Sequence, residues 1–497
     1  MSNVSGVIKS IQDIMRKDVG VDGDAQRISQ LVWMFFLKIV DDREKELEIM
    51  EDNYISPLPE HLRWRNWAED KEGMTGDELS DFVNLQLFPT LKDKLNTRGE
   101  QGVRAQVIKN VFEDAYNYMK SGTLMRQVIN KINEIDFNTS GDRHMFGSIY
   151  EQILKDLQSA GNAGEFYTPR AVTTFMVDRV KPQLHELVLD PANGTGGFLV
   201  NVIEYKRNNF VKSPTDEAVL QSTIFGVEKK TLPHMLCTTN MILHGIDTPI
   251  NIRHDNTLSR PLRDYGPKDR VHVIVTNPPF GGMEEDGIEN NFPATLRTRE
   301  TADLFLTLII HLLKSEGRAA IVLPDGFLFG EGIKTRIKEK LLEECNLHTI
   351  VRLPNGVFNP YTGIKTNLLF FTKGKPTETV WYFEHPYPEG VKSYNKTKPM
   401  RFEEFEPEMA WWGDESDNLA TRVENEFAWK VSKEEIAARN YNLDIKNPHV
   451  GEQETHDPEV LLKKYEAQQE KIAGLHQQLL TILSEALGAA NSDSQIN

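Results

Sequence analysis

Apolar positions in the first third of the chain recur at helical spacing: Ile28, Leu31, Val32, Phe35, Phe36 and Ile39, then Val107, Ile108, Val111, Phe112 and Tyr116. That period predicts amphipathic helices from Val7 to about Ser159, with Asp22 or Asp24 capping the first of them. Ser56 to Glu72, with two prolines and two tryptophans, reads as a loop. After Gly161 the pattern changes. Short apolar runs at Leu187–Leu189, Ile224–Val227, Ile250–Ile252, Val271–Val275, Ala319–Leu323, Thr349–Leu353 and Leu368–Phe371 alternate with helical stretches. Such alternation predicts an α/β domain whose largely parallel sheet is covered on both faces. From about Tyr382 to Asn447 the text is irregular, and Pro458 to Leu487 reads as one long helix. The expected division is a helical domain over 1–160, an α/β domain over 161–385, an irregular extension over 386–450 and a C-terminal helix over 451–497.

At 497 residues the chain is too long for one compact core. Its most apolar stretches, Leu31–Leu37 and Leu304–Leu313, are far shorter than the ~20 residues that span a bilayer. No basic, then apolar leader opens the chain, so the expectation is a cytoplasmic protein without a membrane segment. Cys237 and Cys345 are too few for a disulfide framework and read as small buried apolar residues. The net charge of −17 is unlike that of a chain that grips nucleic acid alone. It allows local contacts with DNA, or a basic partner that holds the duplex, or a role in solubility only.

Val188-Leu-Asp-Pro-Ala-Asn-Gly-Thr-Gly-Gly-Phe-Leu-Val200 is a strand, a glycine turn and a helix start. A plain βα turn would need no ligand. A dinucleotide site would want a third glycine where Leu199 stands and an acid about 20 positions on, whereas Glu228 follows Asp190 by 38. A third reading fits better. Asp190, Glu228 and Asp255 each follow a predicted strand and would gather at one sheet edge. There Asp190 could face the cationic end of S-adenosylmethionine, Glu228 could accept ribose hydroxyls, and Asp255 could meet an adenine amino group.

Val271 to Gly282 is an apolar strand that two prolines must end, in Asn277-Pro278-Pro279-Phe280. The Asn side chain and the Pro278 carbonyl are two acceptors that could bind one amino group. An exocyclic amine is a poor nucleophile because its lone pair delocalises into the ring. Acceptors that pull its hydrogens out of plane localise that pair, so positioning and electrostatics supply most of the catalysis. Phe280 offers a face for a planar substrate. A simple proline turn is the bland alternative.

The glycine loop with Asn277-Pro-Pro-Phe280 resembles the amino-methyltransferases of the adenine-N6 kind. Gly164-Glu-Phe-Tyr-Thr-Pro-Arg170, Leu323 to Gly330, Val351 to Phe358 and Ala438 to Asp444 further resemble the methylation subunits of type I restriction–modification systems, over essentially the whole chain. Asn193 departs from the small residue that family often carries there. The resemblance implies a Rossmann-like class I S-adenosylmethionine-dependent methyltransferase sheet with an N-terminal all-α domain and a C-terminal helical tail. It also implies that Glu165, Phe166, Tyr167, Thr168, Pro169 and Arg170 line the methionine end of the cofactor. Asp190, Gly194, Thr195, Gly196 and Gly197 would form its loop, with Glu228 on the ribose and Asp255 on the adenine. Asn277, Pro278, Pro279 and Phe280 would form the catalytic segment around an adenine flipped from double-stranded DNA; no metal is implied. A specificity subunit would read the sequence for two such chains, and a restriction subunit would join them in the full complex. The alternatives are a protein glutamine methyltransferase, which shares Asn-Pro-Pro-aromatic, and a catalytically silent assembly subunit. In the last helix, Leu461, Tyr465, Gln468, Ile472, Leu475, Leu479, Ile482 and Ala486 form a coiled-coil seam with one polar interruption. That seam would dock on the specificity subunit or pack on its own chain.

Overall fold

The computed structural model describes residues 4–99, 101–135, 167–359, 361–395, 398–414, 419–449 and 458–492. Glu165, Phe166 and the helical expectation for 136–159 lie outside the described residues. The chain forms two compact units, Met1–Ile445 and Lys446–Asn497.

The first unit opens with α1 (Val4–Met15), α2 (Asp24–Met50), α3 (Gly102–Phe112) and α4 (Gly122–Ile132). Their apolar faces, including Trp33, Phe36, Ile108, Phe112 and Ile129, close one hydrophobic core. Neither Asp22 nor Asp24 caps α2. Gly23 holds the cap position, and the Gln26 side chain reaches back to accept its N–H at 2.7 Å, as in a capping box. The stretch read as a loop, Ser56 to Glu72, contains a short helix at Trp64–Trp67, with both tryptophans buried. Arg126 of α4 donates to the carbonyls of Trp67, Ala68, Asp70 and Met74. It thereby pairs acceptors that no helix or strand satisfies.

Among the described residues nine strands follow: β1 (Val188–Asp190), β2 (Ile224–Glu228), β3 (Ile252–His254), β4 (Val271–Thr276), β5 (Leu313–Pro324), β6 (Cys345–Arg352), β7 (Thr366–Lys373), β8 (Thr379–Glu384) and β9 (Ala428–Ser432). They form one sheet in the order β3-β2-β1-β4-β5-β7-β6-β8-β9. Six of the seven expected runs lie mainly within strands, whereas the run Ile250–Ile252 only touches β3, which begins at Ile252. The sheet is mixed, because β7 runs antiparallel to both β5 and β6, and β9 antiparallel to β8. The last strand lies in the segment read as irregular; Ala428-Trp-Lys-Val-Ser432 is too short to stand out among loops.

Alternate residues of each strand face opposite sides. Val273 and Val275 join a core with Phe175 of α5 (Arg170–Val180) and Leu199 of α6 (Gly197–Phe210). Ile274 joins the other core, with Leu304 of α8 (Thr301–Leu312) and Ile337 of α9 (Ile333–Glu344). Between them in sequence, α7 (Thr231–Leu243) serves two cores. Met235 and Leu236 pack with the N-terminal helices, and Cys237 and Met241 pack beneath the sheet's glycine loop. Both cysteines are free and buried.

The second unit contains α10 (Pro458–Ser492), on which Tyr465, Ile472, Leu475, Leu479 and Ile482 are exposed. No described helix is long and apolar enough to cross a membrane.

Candidate active site

Strand order places the site. From β1 the chain winds outward through β2 and β3, then returns so that β4 lies on the other side of β1, parallel to it. The crevice between the carboxyl ends of β1 and β4 is therefore the switch point where open α/β sheets bind ligands. Asp190 ends β1, and Asn277 follows the last residue of β4.

The loop after β1 turns through Gly194 and Gly196, at φ 51° and 84°. These left-handed conformations suit glycine. Gly196 donates its N–H to the Asn193 carbonyl at 2.7 Å and caps α6. A Cβ on Gly196 would lie 2.8 Å from Cys237 Sγ, so α7 sits directly against the turn. Across the strands, a Cβ on Gly226 would lie 2.6 Å from Asn193 Oδ1. The Asn193 side chain thus lies over β2, inside the loop.

Two acids share this crevice. Asp190 Oδ1 accepts from the Thr276 hydroxyl at 2.6 Å and from Ala192 N–H at 3.2 Å. Burial pushes its pKa up to about 7, and nearby Glu228 adds to the rise. Glu228 accepts from Gly194 N–H at 3.0 Å and Lys230 N–H at 2.8 Å, and burial also raises its pKa. Asp255 differs. Its N–H bonds the Glu228 carbonyl at 3.0 Å, which sets it beside Glu228, but its carboxylate is half exposed and 3.8 Å from Arg253. The sheet edge therefore gathers all three predicted acids, two of them deep and one at the rim.

Asn277 donates through Nδ2 to Thr168 Oγ1 at 3.0 Å, while its Oδ1 is buried without a partner. Pro278 is buried, Pro279 exposed and Phe280 half-buried. Two aromatic rings that the sequence reading missed face Phe280: Phe358 edge-on at 5.8 Å and Tyr361 tilted at 6.3 Å. Both lie on the loop between β6 and β7. Because those strands are antiparallel, their connection turns at the sheet's carboxyl edge, over the end of β4.

Of the other predicted residues, Thr168 reaches the site through Asn277, and Pro169 precedes α5 as its cap. Tyr167 packs against the core of the N-terminal helices. Arg170 pairs with Glu204 of α6 at 2.6 Å, well along that helix from the glycine turn. Thr195 is buried in the turn, where its carbonyl accepts from Asn240 of α7 at 3.1 Å. Asn240 Oδ1 and Asn193 Oδ1, like that of Asn277, are buried acceptors without a partner.

The model of the N-6 DNA methylase family matches residues 141–457, and that of the HsdM N-terminal domain matches residues 4–132. The chain belongs to the N-6 DNA methylases. It is 64% identical over 485 residues to the type I restriction enzyme EcoEI methylase subunit of Escherichia coli, with 98% of each chain covered. It is 28% identical to the EcoKI methylase subunit of Escherichia coli K12, over 84% of this chain and 78% of that one. Among solved structures, it resembles a type I restriction enzyme modification subunit from Vibrio vulnificus YJ016, with a TM-score of 0.80, 45% identity, and 90% and 97% of the two chains covered. It also resembles a chain from a study of complex assembly and conformational transition in the type I system, with a TM-score of 0.79, 35% identity, and 97% and 99% covered. This N-6 DNA methylase is thus a type I restriction–modification methylase subunit, an adenine-specific DNA methyltransferase. The glutamine-methyltransferase and silent-scaffold alternatives are set aside. Family membership implies S-adenosylmethionine as methyl donor.

The packing of α7 on the glycine turn yields a stability test. G196A forces a side chain into the left-handed region, costing about 1–2 kcal/mol, and drives its methyl into Cys237 Sγ. Chemical denaturation should show a loss of about 2 kcal/mol or more. Combining G196A with C237A should recover the clash but not the backbone cost, giving a coupling of about 1 kcal/mol in a double-mutant cycle. Strictly additive losses would mean that Sγ does not constrain the turn.

Proposed function

We propose that this subunit methylates N6 of an adenine rotated out of duplex DNA into the crevice between β1 and β4. The observation that carries this reading is Asn277 Oδ1, a buried acceptor without a partner at the switch point. An unpaired buried acceptor costs about 1–3 kcal/mol, and a substrate amino group would relieve that cost. Asn277 Oδ1 and the Pro278 carbonyl accept the two N6 hydrogens and localise the amine lone pair. Pro279 ends the strand and shapes the turn, and Phe280 stacks on the base within the slot that Phe358 and Tyr361 complete.

The residues present also fit the methyl donor. The glycine turn puts no side chain of its own between its backbone and a ligand, two buried acids suit cationic and hydroxyl groups, and Asn193 and Asn240 add unspent acceptors. When bound, S-adenosylmethionine supplies a methyl group on a sulfonium. Asp190, Gly194, Thr195, Gly196 and Gly197 hold its loop side, Glu228 the ribose and Asp255 the adenine from the rim. Glu165, Phe166, Tyr167, Thr168, Pro169 and Arg170 are assigned to the methionine end; Arg170 would act there by anchoring α5 to α6.

We assign sequence reading to a specificity subunit that joins two methylase chains, with a restriction subunit in the full complex, all in the cytoplasm. The charge of −17 leaves much of the DNA grip to such partners. The apolar seam of α10 is its docking surface, with the helical domain at 1–160, the catalytic domain at 161–385 and its extension at 386–450.

Three measurements test this. N277A should lower methyl transfer by at least ~100-fold with little change in cofactor affinity, and F280A should lose more activity than F280Y or F280W. Near-parent turnover in N277A would refute the assignment. Cofactor affinity should depend on pH through Asp190, whose pKa is about 7 in the free protein. A cation favours the carboxylate, so binding is tight above pH 7. Below it, Kd should rise about tenfold per pH unit as the acid must first lose its proton. Calorimetry on D190N should give weaker binding with a flat profile; an unchanged profile would exclude Asp190. Finally, truncation after Asn447 should spare cofactor binding but abolish co-purification with the specificity subunit, and continued co-purification would reject the docking role of α10.

A further inference from the structure

The end of β4 is tied to the cofactor segments at two successive residues. Thr276, fully buried, donates to Asp190 Oδ1 at 2.6 Å, which fixes the backbone where Asn277 begins. What remains free is the rotation of the Asn277 amide. Its terminal torsion is two-fold, and a half-turn exchanges an acceptor oxygen for a donor nitrogen of nearly the same shape. One orientation welcomes the N6 hydrogens; the other opposes them with its own. Among the described residues the amide's one hydrogen-bond partner is Thr168 Oγ1, at 3.0 Å from Nδ2.

A hydroxyl can donate or accept, so Thr168 alone would tolerate either orientation. Among the described residues it accepts from Asn277 and donates to nothing. Its proton is therefore unspent on the side away from Asn277. If that proton is taken by an acceptor, Thr168 can only accept from Asn277, and Oδ1 must then face the base.

Building on the proposed role of Asn277, we infer that Thr168 is a positioning residue that sets the Asn277 amide with its oxygen toward the base. The lock engages when the Thr168 hydroxyl proton is given to an acceptor of the cofactor's methionine end, whose carboxylate has that chemistry. The relay makes cofactor occupancy a precondition for holding the target amine. It links two sites through one hydroxyl, without movement of the backbone.

The test uses the full methylase complex on a duplex bearing its target site. T168V keeps the shape of Thr168 and removes the hydroxyl; T168S restores it. T168V should lower kcat about tenfold, the scale of one hydrogen bond's preference, at saturating cofactor, and T168S should recover most of it. N277D is the decisive background. A carboxylate has two equivalent acceptor oxygens, so T168V should cost N277D less than twofold in kcat. A readout independent of turnover is DNA affinity with and without S-adenosylhomocysteine. Its enhancement by that ligand should vanish in T168V and persist in T168S. A kcat within twofold of parent in T168V, equal losses in both backgrounds, or enhancement retained in T168V would each overturn the relay. If N277A abolishes transfer while T168V does not, the relay fails and the assignment of Asn277 stands. If N277A turns over normally, the assignment itself fails.

Discussion

The hydrogen bond between Thr276 and Asp190 is the contact on which the site's geometry rests. β1 and β4 come from segments more than eighty residues apart, and only the return of the chain across β1 makes them neighbours. Their backbone ladder aligns the two strands, but the ladder ends before either functional residue. The hydroxyl bond carries the alignment one step further, into the crevice. It fixes Asp190, on the proposed cofactor side, and the start of Asn277, on the proposed base side, with a single proton. The carboxyl edge thus becomes one site rather than two adjacent ones.

That arrangement holds charge and polarity at a cost. Asp190 and Glu228 are buried with backbone and hydroxyl donors as their partners, and each rises in pKa because burial disfavours its charge. Asn193, Asn240 and Asn277 each keep a buried oxygen unspent. A protein under selection for stability alone would pair or replace these groups. Those of Asn193 and Asn240 lie at the glycine turn and that of Asn277 at the end of β4, where the proposed ligands would pair them.

Much of this was legible in the sequence, for a definite reason. The glycine turn, the acids at strand ends and Asn277-Pro-Pro-Phe280 are local signals, each written within a dozen residues, and the alternation of strands and helices implies that they share an edge. What escaped was non-local or too short. Phe358 and Tyr361 face Phe280 only because β6 and β7 pair antiparallel, which no local pattern encodes. β9 has five residues and no flanking signal. Arg170 sits in a motif that points to the cofactor, yet its guanidinium finds Glu204, because an ion pair across α5 and α6 depends on helix packing. Asp22 and Asp24 looked like caps, but Gly23 takes the cap position and the Gln26 side chain accepts its N–H.

The helical domain and the catalytic crevice are mechanically one object, and α7 is the reason. One side of that helix, Met235 and Leu236, belongs to the core of the N-terminal helices. Another, Cys237 and Met241, presses on the glycine turn. Its first turn carries His234, stacked at 5.0 Å on His254, the residue before Asp255; His254 in turn lies 3.9 Å from Asp114, just beyond α3. Packed cores shift between discrete arrangements rather than deforming smoothly. A change of packing on one side of α7 is therefore borne by the turn that Cys237 and Met241 press on.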